Sequence, residues 1–287
     1  MPDRTSTHLN MLFRPDRLLS VYVVHPLWVG RERCAIPILM YHAIADEGSN
    51  GVRPYYETRT SLARFAEHLH WLQAHEYRTV GLDSLSTTDA GEGHAKNVVI
   101  TFDDGFQDFY THAAPMLAEK GFTATMFVPT GYVSENRQQF KGRRCMTWSE
   151  VRELQRAGFT FGSHTVTHPQ LHSLSSNQIE YEARTSKQLL EDQTGVAADF
   201  FAYPYAFPET DCIFAERLRG TLQGCGYRAA VNTSIGTAIP GDGDFFQKRL
   251  PINDWDDLAL FRAKMENAYD WMYAAQWLKK RLQQVNL

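Results

Sequence analysis

Residues 97–102, Asn-Val-Val-Ile-Thr-Phe, form an unbroken, largely β-branched apolar run that stops at Asp103-Asp104-Gly105. Such a run, without polar alternation, predicts a strand covered on both faces, as in parallel sheets flanked by helices. The chain repeats this theme. Ile36 to Tyr41, Ala124 to Val128, Phe159 to Gly162, Phe200 to Tyr203 and Tyr227 to Val231 read as further short buried strands.

Helical stretches lie between them. Leu62, Phe65, Leu69 and Leu72 share one face of a helix over about residues 61–75. Another runs to about Lys120, started or kinked by Pro115 and ended by Gly121. Thr147 caps a helix from Trp148 to Ala157, with Glu150 at the capping-box position. Residues 175–193 precede Gly195. From Asp256 onward, Leu258, Phe261, Met265, Ala268, Met272 and Ala275 trace the stripe of one long C-terminal helix. Residues 45–60, polar and containing Gly and Pro, predict a loop. The alternation predicts an α/β fold with a parallel sheet, either layered or closed into a barrel.

Bulk properties narrow the class. The 287 residues suit one large domain, here 34–287, behind an N-terminal extension of residues 1–33. A net charge of −4 offers no basic surface for nucleic acid, and no apolar run approaches the roughly 20 residues of a membrane span. Asp3, Arg4, Arg14, Asp16 and Arg17 precede only a short apolar stretch, Leu18 to Val24, so no signal peptide is predicted. The expectation is a soluble cytoplasmic protein, with envelope association as the alternative. Leu12, Phe13, Leu18, Leu19, Val21 and Trp28 are expected to pack on the main domain rather than on a membrane. Cys34, Cys145, Cys212 and Cys225 form no CxxC pair, which argues against a cysteine zinc site. Nothing in the pattern sets an oligomeric state.

In α/β folds, reactive groups gather where strands end. His42, Asp103-Asp104, Ser163-His164 and Tyr203-Pro204-Tyr205 each follow a predicted strand. A lone Asp-Asp-Gly is usually a turn. Two adjacent carboxylates repel unless a cation lies nearby, and a turn at Gly105 must aim them differently. His164 and His168 are four apart; 11 histidines in 287 residues give about 0.4 such pairs by chance. Their place after a strand and before Pro169 makes the pair more telling. Two imidazoles and a carboxylate form a normal catalytic zinc set with open positions, and cobalt or nickel also suits such donors. His172 is treated as a bystander. In Phe201-Ala-Tyr-Pro-Tyr205, Pro204 stiffens a turn able to aim a backbone N–H at a developing oxyanion.

Together, Thr101-Phe-Asp-Asp-Gly105 and Ser163-His-x-x-x-His168, preceded by Thr147-Trp148 and Gly162, resemble the polysaccharide deacetylases of carbohydrate esterase family four, over roughly residues 36–260. The resemblance implies a distorted (β/α) barrel of about seven strands. It implies Asp104, His164 and His168 as metal ligands, and Asp103 as the base acting on a metal-bound water that attacks an acetamide. It places the backbone N–H of Tyr205 at the oxyanion, Tyr203 and Pro204 at the substrate, and Trp255 near the acyl methyl. The family's C-terminal Leu-x-His acid is missing, while Leu39-Met-Tyr-His42 stands at the start; this looks like the permuted order of the poly-β-1,6-N-acetylglucosamine deacetylases and assigns the acid to His42. Ala202 and Ala206 depart from the third motif, where an arginine and a glycine are usual, so the cation facing Asp103 is expected from Arg249. The implied substrate is an N-acetylated sugar of a polysaccharide or glycoconjugate. O-acetyl esters, formamides and cyclic amides are alternatives, and a non-catalytic carbohydrate-binding relative is a third reading.

Overall fold

The computed structural model describes residues 14–28, 35–46, 54–85, 96–241 and 243–285. Leu12, Phe13, Cys34 and residues 47–53 of the expected loop therefore lie outside the described residues. Eight parallel strands make the main sheet: β1 (Ile38–Tyr41), β2 (Tyr77–Thr79), β3 (Lys96–Phe102), β4 (Thr125–Val128), β5 (Thr160–Ser163), β6 (Phe200–Ala202), β7 (Ala229–Ile235) and β8 (Gln247–Pro251). Their order is β1-β8-β7-β6-β5-β4-β3-β2, and β1 also pairs with β3, from Ile38↔Val99 to Tyr41↔Phe102. That pairing closes seven strands into a parallel barrel, while β2 extends the N-terminal half of β3. Helices α1 (Leu62–Ala74), α2 (Ala114–Glu119), α3 (Trp148–Arg156), α4 (Ser176–Thr194), α5 (Cys212–Gly224), α6 (Leu258–Met265) and α7 (Met272–Val285) complete the fold.

The two-residue period of a strand sorts side chains between two layers. Ile38, Val99, Phe127, Phe200, Ala202, Ala229 and Val231 share one buried cluster. Their neighbours Leu39, Tyr41, Val98, Ile100 and Phe102 belong to another, with Phe65 and Leu69 of α1. Gly162 is required where strands crowd: a Cβ there would lie 2.6 Å from the Phe127 ring and 2.9 Å from the Phe200 carbonyl. The cap expected at Thr147 forms, and Ser61 supplies a second one. Ser61 accepts from the Arg64 N–H at the start of α1, and Thr147 and Glu150 make a capping box on α3.

Two expectations are corrected. The C-terminal stretch is two helices, not one, because Asn267 takes a left-handed backbone (φ 62°) that breaks the α-helical ladder between α6 and α7. Leu258, placed in the apolar stripe, is exposed, whereas Phe261, Met265 and Ala268 are buried. β2, β8 and a small antiparallel hairpin joining Gln139–Phe140 to Arg143–Arg144 contain no apolar run that announces them.

Residues 14–28 meet the region after β8 through polar contacts and through Val21, whereas Leu18 and Leu19, expected to pack on the main domain, are exposed. Arg14 donates to the Trp255 carbonyl (3.3 Å), Arg17 pairs with Asp257 (2.6 Å), Tyr269 donates to Asp16 (2.8 Å), and the Trp271 indole N–H donates to Ser20 (2.9 Å). No helix among the described residues is long and apolar enough to cross a membrane.

Candidate active site

The C-terminal ends of β1, β3 and β5 deliver His42, Asp103-Asp104 and His164 to one mouth of the barrel. Asp103 continues the inward phase of β3 after Val99 and Thr101. Its N–H donates to the Tyr41 carbonyl (3.0 Å), which ties it to the end of β1 and brings His42 alongside. Asp104 and Gly105 are both left-handed, at φ 76° and 65°, and this double turn aims the second carboxylate differently from the first.

Arg249 lies fully buried on β8 and grips Asp103 with both Nη atoms, each 2.7 Å from a carboxylate oxygen. Its Nε donates to the Asn232 carbonyl (2.9 Å), within the stretch where the β7–β8 register shifts. Its Nη1 also reaches Thr101 Oγ1 (3.2 Å). Burial alone would raise the Asp103 pKa, but the guanidinium, His164 and His42 more than offset it and hold the carboxyl below its ordinary value. Ala202 faces inward on β6 without a charge, and the cation on Asp103 arrives from two strands away.

Asp104, His164 and His168 bring one ligand atom each to within 4.8 Å of one another, and all three are buried. His164 Nδ1 lies 2.8 Å from the Ala202 carbonyl. That carbonyl can only accept, so Nδ1 carries the proton and Nε2 keeps its lone pair for the cluster. Burial lowers the His164 pKa to about 3, so the ring is neutral, as a ligand must be. His168 Nε2 lies 3.2 Å from Asp104 Oδ1. Burial pushes Asp104 up, but hydrogen bonding from His168 and the nearby positive groups hold it far below the usual carboxylate range. Two neutralisable imidazoles and an ionised carboxylate, closely spaced and shielded from solvent, fit a divalent ion such as zinc.

His42 is half-buried. Burial lowers its pKa below the ordinary imidazole value, while the charges of Asp104 and Asp103 pull in the opposite direction. Tyr205 has a left-handed backbone (φ 58°), is exposed, and sets its ring edge-on to His168 at 4.6 Å. Tyr203 is placed otherwise than expected for a substrate contact. It follows the outward phase of β6 after Phe201, is 1% exposed, and packs on Phe207 and Phe214. Pro204 is buried too, so both stiffen the turn from within. Trp255 is half-buried, its N–H donating to Asn253 Oδ1 (2.9 Å).

Two polar residues near the cluster carried no sequence motif. Lys141, at the tip of the 139–144 hairpin, places Nζ 3.1 and 3.2 Å from the Asp104 oxygens and over the Phe140 and Tyr205 rings. Glu182 on α4 bonds the segment between the two histidines. Its signal was legible: it shares the buried face of α4 with Ile179, Ala183, Ser186 and Leu190, where an acidic side chain needs partners.

Residues 90–230 match the model of the polysaccharide deacetylase family. The chain carries a polysaccharide deacetylase domain. The Bacillus subtilis protein YxkH, whose name assigns it to the polysaccharide deacetylases, is 27% identical over 243 residues, covering 84% of this chain and 80% of that protein. A poly-β-1,6-N-acetyl-D-glucosamine N-deacetylase of Staphylococcus aureus is 26% identical over 207 residues, 68% of each chain. Among solved structures, the Streptococcus pyogenes deacetylase PplD in complex with acetate superposes with TM-score 0.69 at 25% identity, covering 80% of this chain and 98% of that one. IcaB from Ammonifex degensii shares the fold at TM-score 0.66 and 23% identity, over 80% and 97%. The chain thus has the closed seven-stranded barrel that the family resemblance implies, with β1 and β8 lying outside the matched residues.

Proposed function

We propose that this protein is a metal-dependent hydrolase that removes acetyl groups from N-acetylated sugars of a polysaccharide or glycoconjugate. The observation that carries the reading is the juxtaposition of the Asp104, His164 and His168 donors with an Arg249-held Asp103 at one mouth of the barrel. The S. aureus relative, named as a deacetylase of an N-acetylglucosamine polymer, supports the substrate class.

Asp104, His164 and His168 would hold the ion. A divalent ion such as zinc, if held there, would supply Lewis acidity toward the acyl carbonyl and would lower the pKa of a water to about 7. Asp103, kept ionised by Arg249, accepts a proton at a carboxylate oxygen; the guanidinium leaves it other lone pairs. The same grip fixes its direction. His42, just past the strand beside Asp103, delivers a proton to the leaving nitrogen as the C–N bond breaks. The left-handed turn at Tyr205 offers its backbone N–H to the developing oxyanion, and Trp255 lines the acyl methyl. The products are acetate and the free amine.

Acetate release from β-1,6-linked N-acetylglucosamine oligomers, acetylxylan and small amides, measured with the zinc-loaded protein, tests this. Turnover of the glucosamine oligomers above the other two supports the proposal. Turnover of acetylxylan alone would move the assignment to O-acetyl esters.

A further inference from the structure

We propose that Glu182 is the positioning residue of the ligand loop: its carboxylate fixes the backbone between His164 and His168, and so sets how tightly the site holds its ion. The inference rests on the reading of Asp104, His164 and His168 as the ligand set.

The loop is strained at both ends. Thr165 and His168 adopt φ 70° and 56°, left-handed values that a non-glycine side chain, and a β-branched one above all, disfavours. Such a backbone persists only where its surroundings hold it. Here the polar groups inside the loop are taken up one by one. Thr165 donates from N to Ser163 Oγ (3.1 Å), and its carbonyl accepts from the Thr130 N–H (3.0 Å). The Val166 carbonyl accepts from the Gly131 N–H (2.9 Å), and His168 N donates to Thr165 Oγ1 (2.9 Å).

The backbone N–H groups of Val166 and Thr167 and the Thr167 hydroxyl all go to one side chain. Glu182 Oε2 accepts from the N–H of Val166 (2.7 Å) and of Thr167 (2.9 Å), and Oε1 accepts from Thr167 Oγ1 (2.7 Å). Glu182 is 6% exposed, so these three bonds replace its hydration. On the opposite side the loop is pressed against Gly131, where a Cβ would come within 2.8 Å of the Val166 carbonyl. The segment is clamped between β4's exit and α4, and His168, which ends it, inherits that fixed direction. Without Glu182, two part-buried N–H groups lose their acceptor and the left-handed turns lose the contact that stabilises them.

Zinc affinity of the full chain, read by chelator competition, tests the inference, with circular dichroism of the zinc-free protein reporting the fold. Glu182→Ala is expected to weaken zinc by about 10- to 100-fold, the usual effect of removing a group that orients ligands. Its kcat at saturating zinc should return to the wild-type value, because Glu182 touches neither substrate nor reacting atoms. Glu182→Gln should stay within about fivefold, since one amide oxygen can accept both N–H groups while the NH2 donates to Thr167 Oγ1. Thr167→Val, which removes one of the three bonds, should fall between them and serves if Glu182→Ala does not fold. A folded Glu182→Ala, or a Thr167→Val, that binds zinc as wild type does would overturn the proposal. So would a Glu182→Gln as weak as Glu182→Ala, which would make the charge, not the position, the cause. Wild-type protein that takes up no zinc would instead overturn the ligand-set reading beneath it.

Discussion

Replacing Arg249 by methionine isolates the grip on Asp103. The pair is buried on both sides, at 0% and 2% side-chain exposure, and is bidentate at 2.7 Å. Removing one partner of such a pair leaves a buried charge uncompensated, which costs about 3–5 kcal/mol. The Asn232 carbonyl also loses its donor, so the upper half of that range is expected. The sign of the pH dependence follows from Asp103. In the native protein its pKa is lowered, so its contribution to stability is present above the unfolded value of about 3.9 and is lost as pH falls toward the folded one. In Arg249→Met, burial is left as the dominant influence and the folded pKa rises above the unfolded value. The variant's deficit should therefore grow between pH 4 and pH 7. Equilibrium urea unfolding at both pH values measures this. The same shift should move the acidic limb of the kcat/KM profile upward, because the base is deprotonated only at higher pH. Arg249→Lys, which keeps the charge but not the fork, should be intermediate. Unfolding free energies within 1 kcal/mol of wild type for Arg249→Met, together with an unmoved acidic limb, would refute the reasoning.

Other expectations follow from the same site. Asp104→Ala and His168→Ala should each lose both bound metal and activity, as elemental analysis and acetate release would show; wild-type-like metal content in either variant would contradict the ligand assignment. His42→Ala should keep its metal while kcat falls by about 10²- to 10⁴-fold, the range for a lost general acid; an unchanged kcat would remove His42 from the reaction. Gly162→Ala should destabilise the barrel by at least about 1–3 kcal/mol, because the new methyl meets the Phe127 ring and the Phe200 carbonyl well inside contact distance. A melting temperature equal to wild type would show that the strands part easily there.

Much of this protein is written locally. The run at 97–102 forms β3, the caps at Ser61 and Thr147 form where their side-chain oxygens can accept, and Asp104, His164 and His168 lie in short motifs that follow strands. These features depend on neighbours a few positions apart, so periodicity and turn chemistry reveal them. Tyr203 shows the limit of that logic. Its place beside Pro204 and Tyr205 suggested the pocket, but the alternation of β6 turned its ring outward into the layer against Phe207 and Phe214.

What tertiary structure decided lies at long range. The strand Gln247–Pro251 contains no apolar run, because its inward position is filled by an arginine whose partner lies 146 residues earlier. The sequence could nominate Arg249 as the missing cation; only closure of the barrel, with β8 beside β1 and β1 beside β3, brings it onto Asp103. Lys141 reaches Asp104 from a hairpin that no periodicity announced, and Glu182 reaches the histidine loop from the face of a later helix. Donor types can be read from a chain, but the convergence of charges on one carboxylate depends on which strands become neighbours, and that is settled by packing.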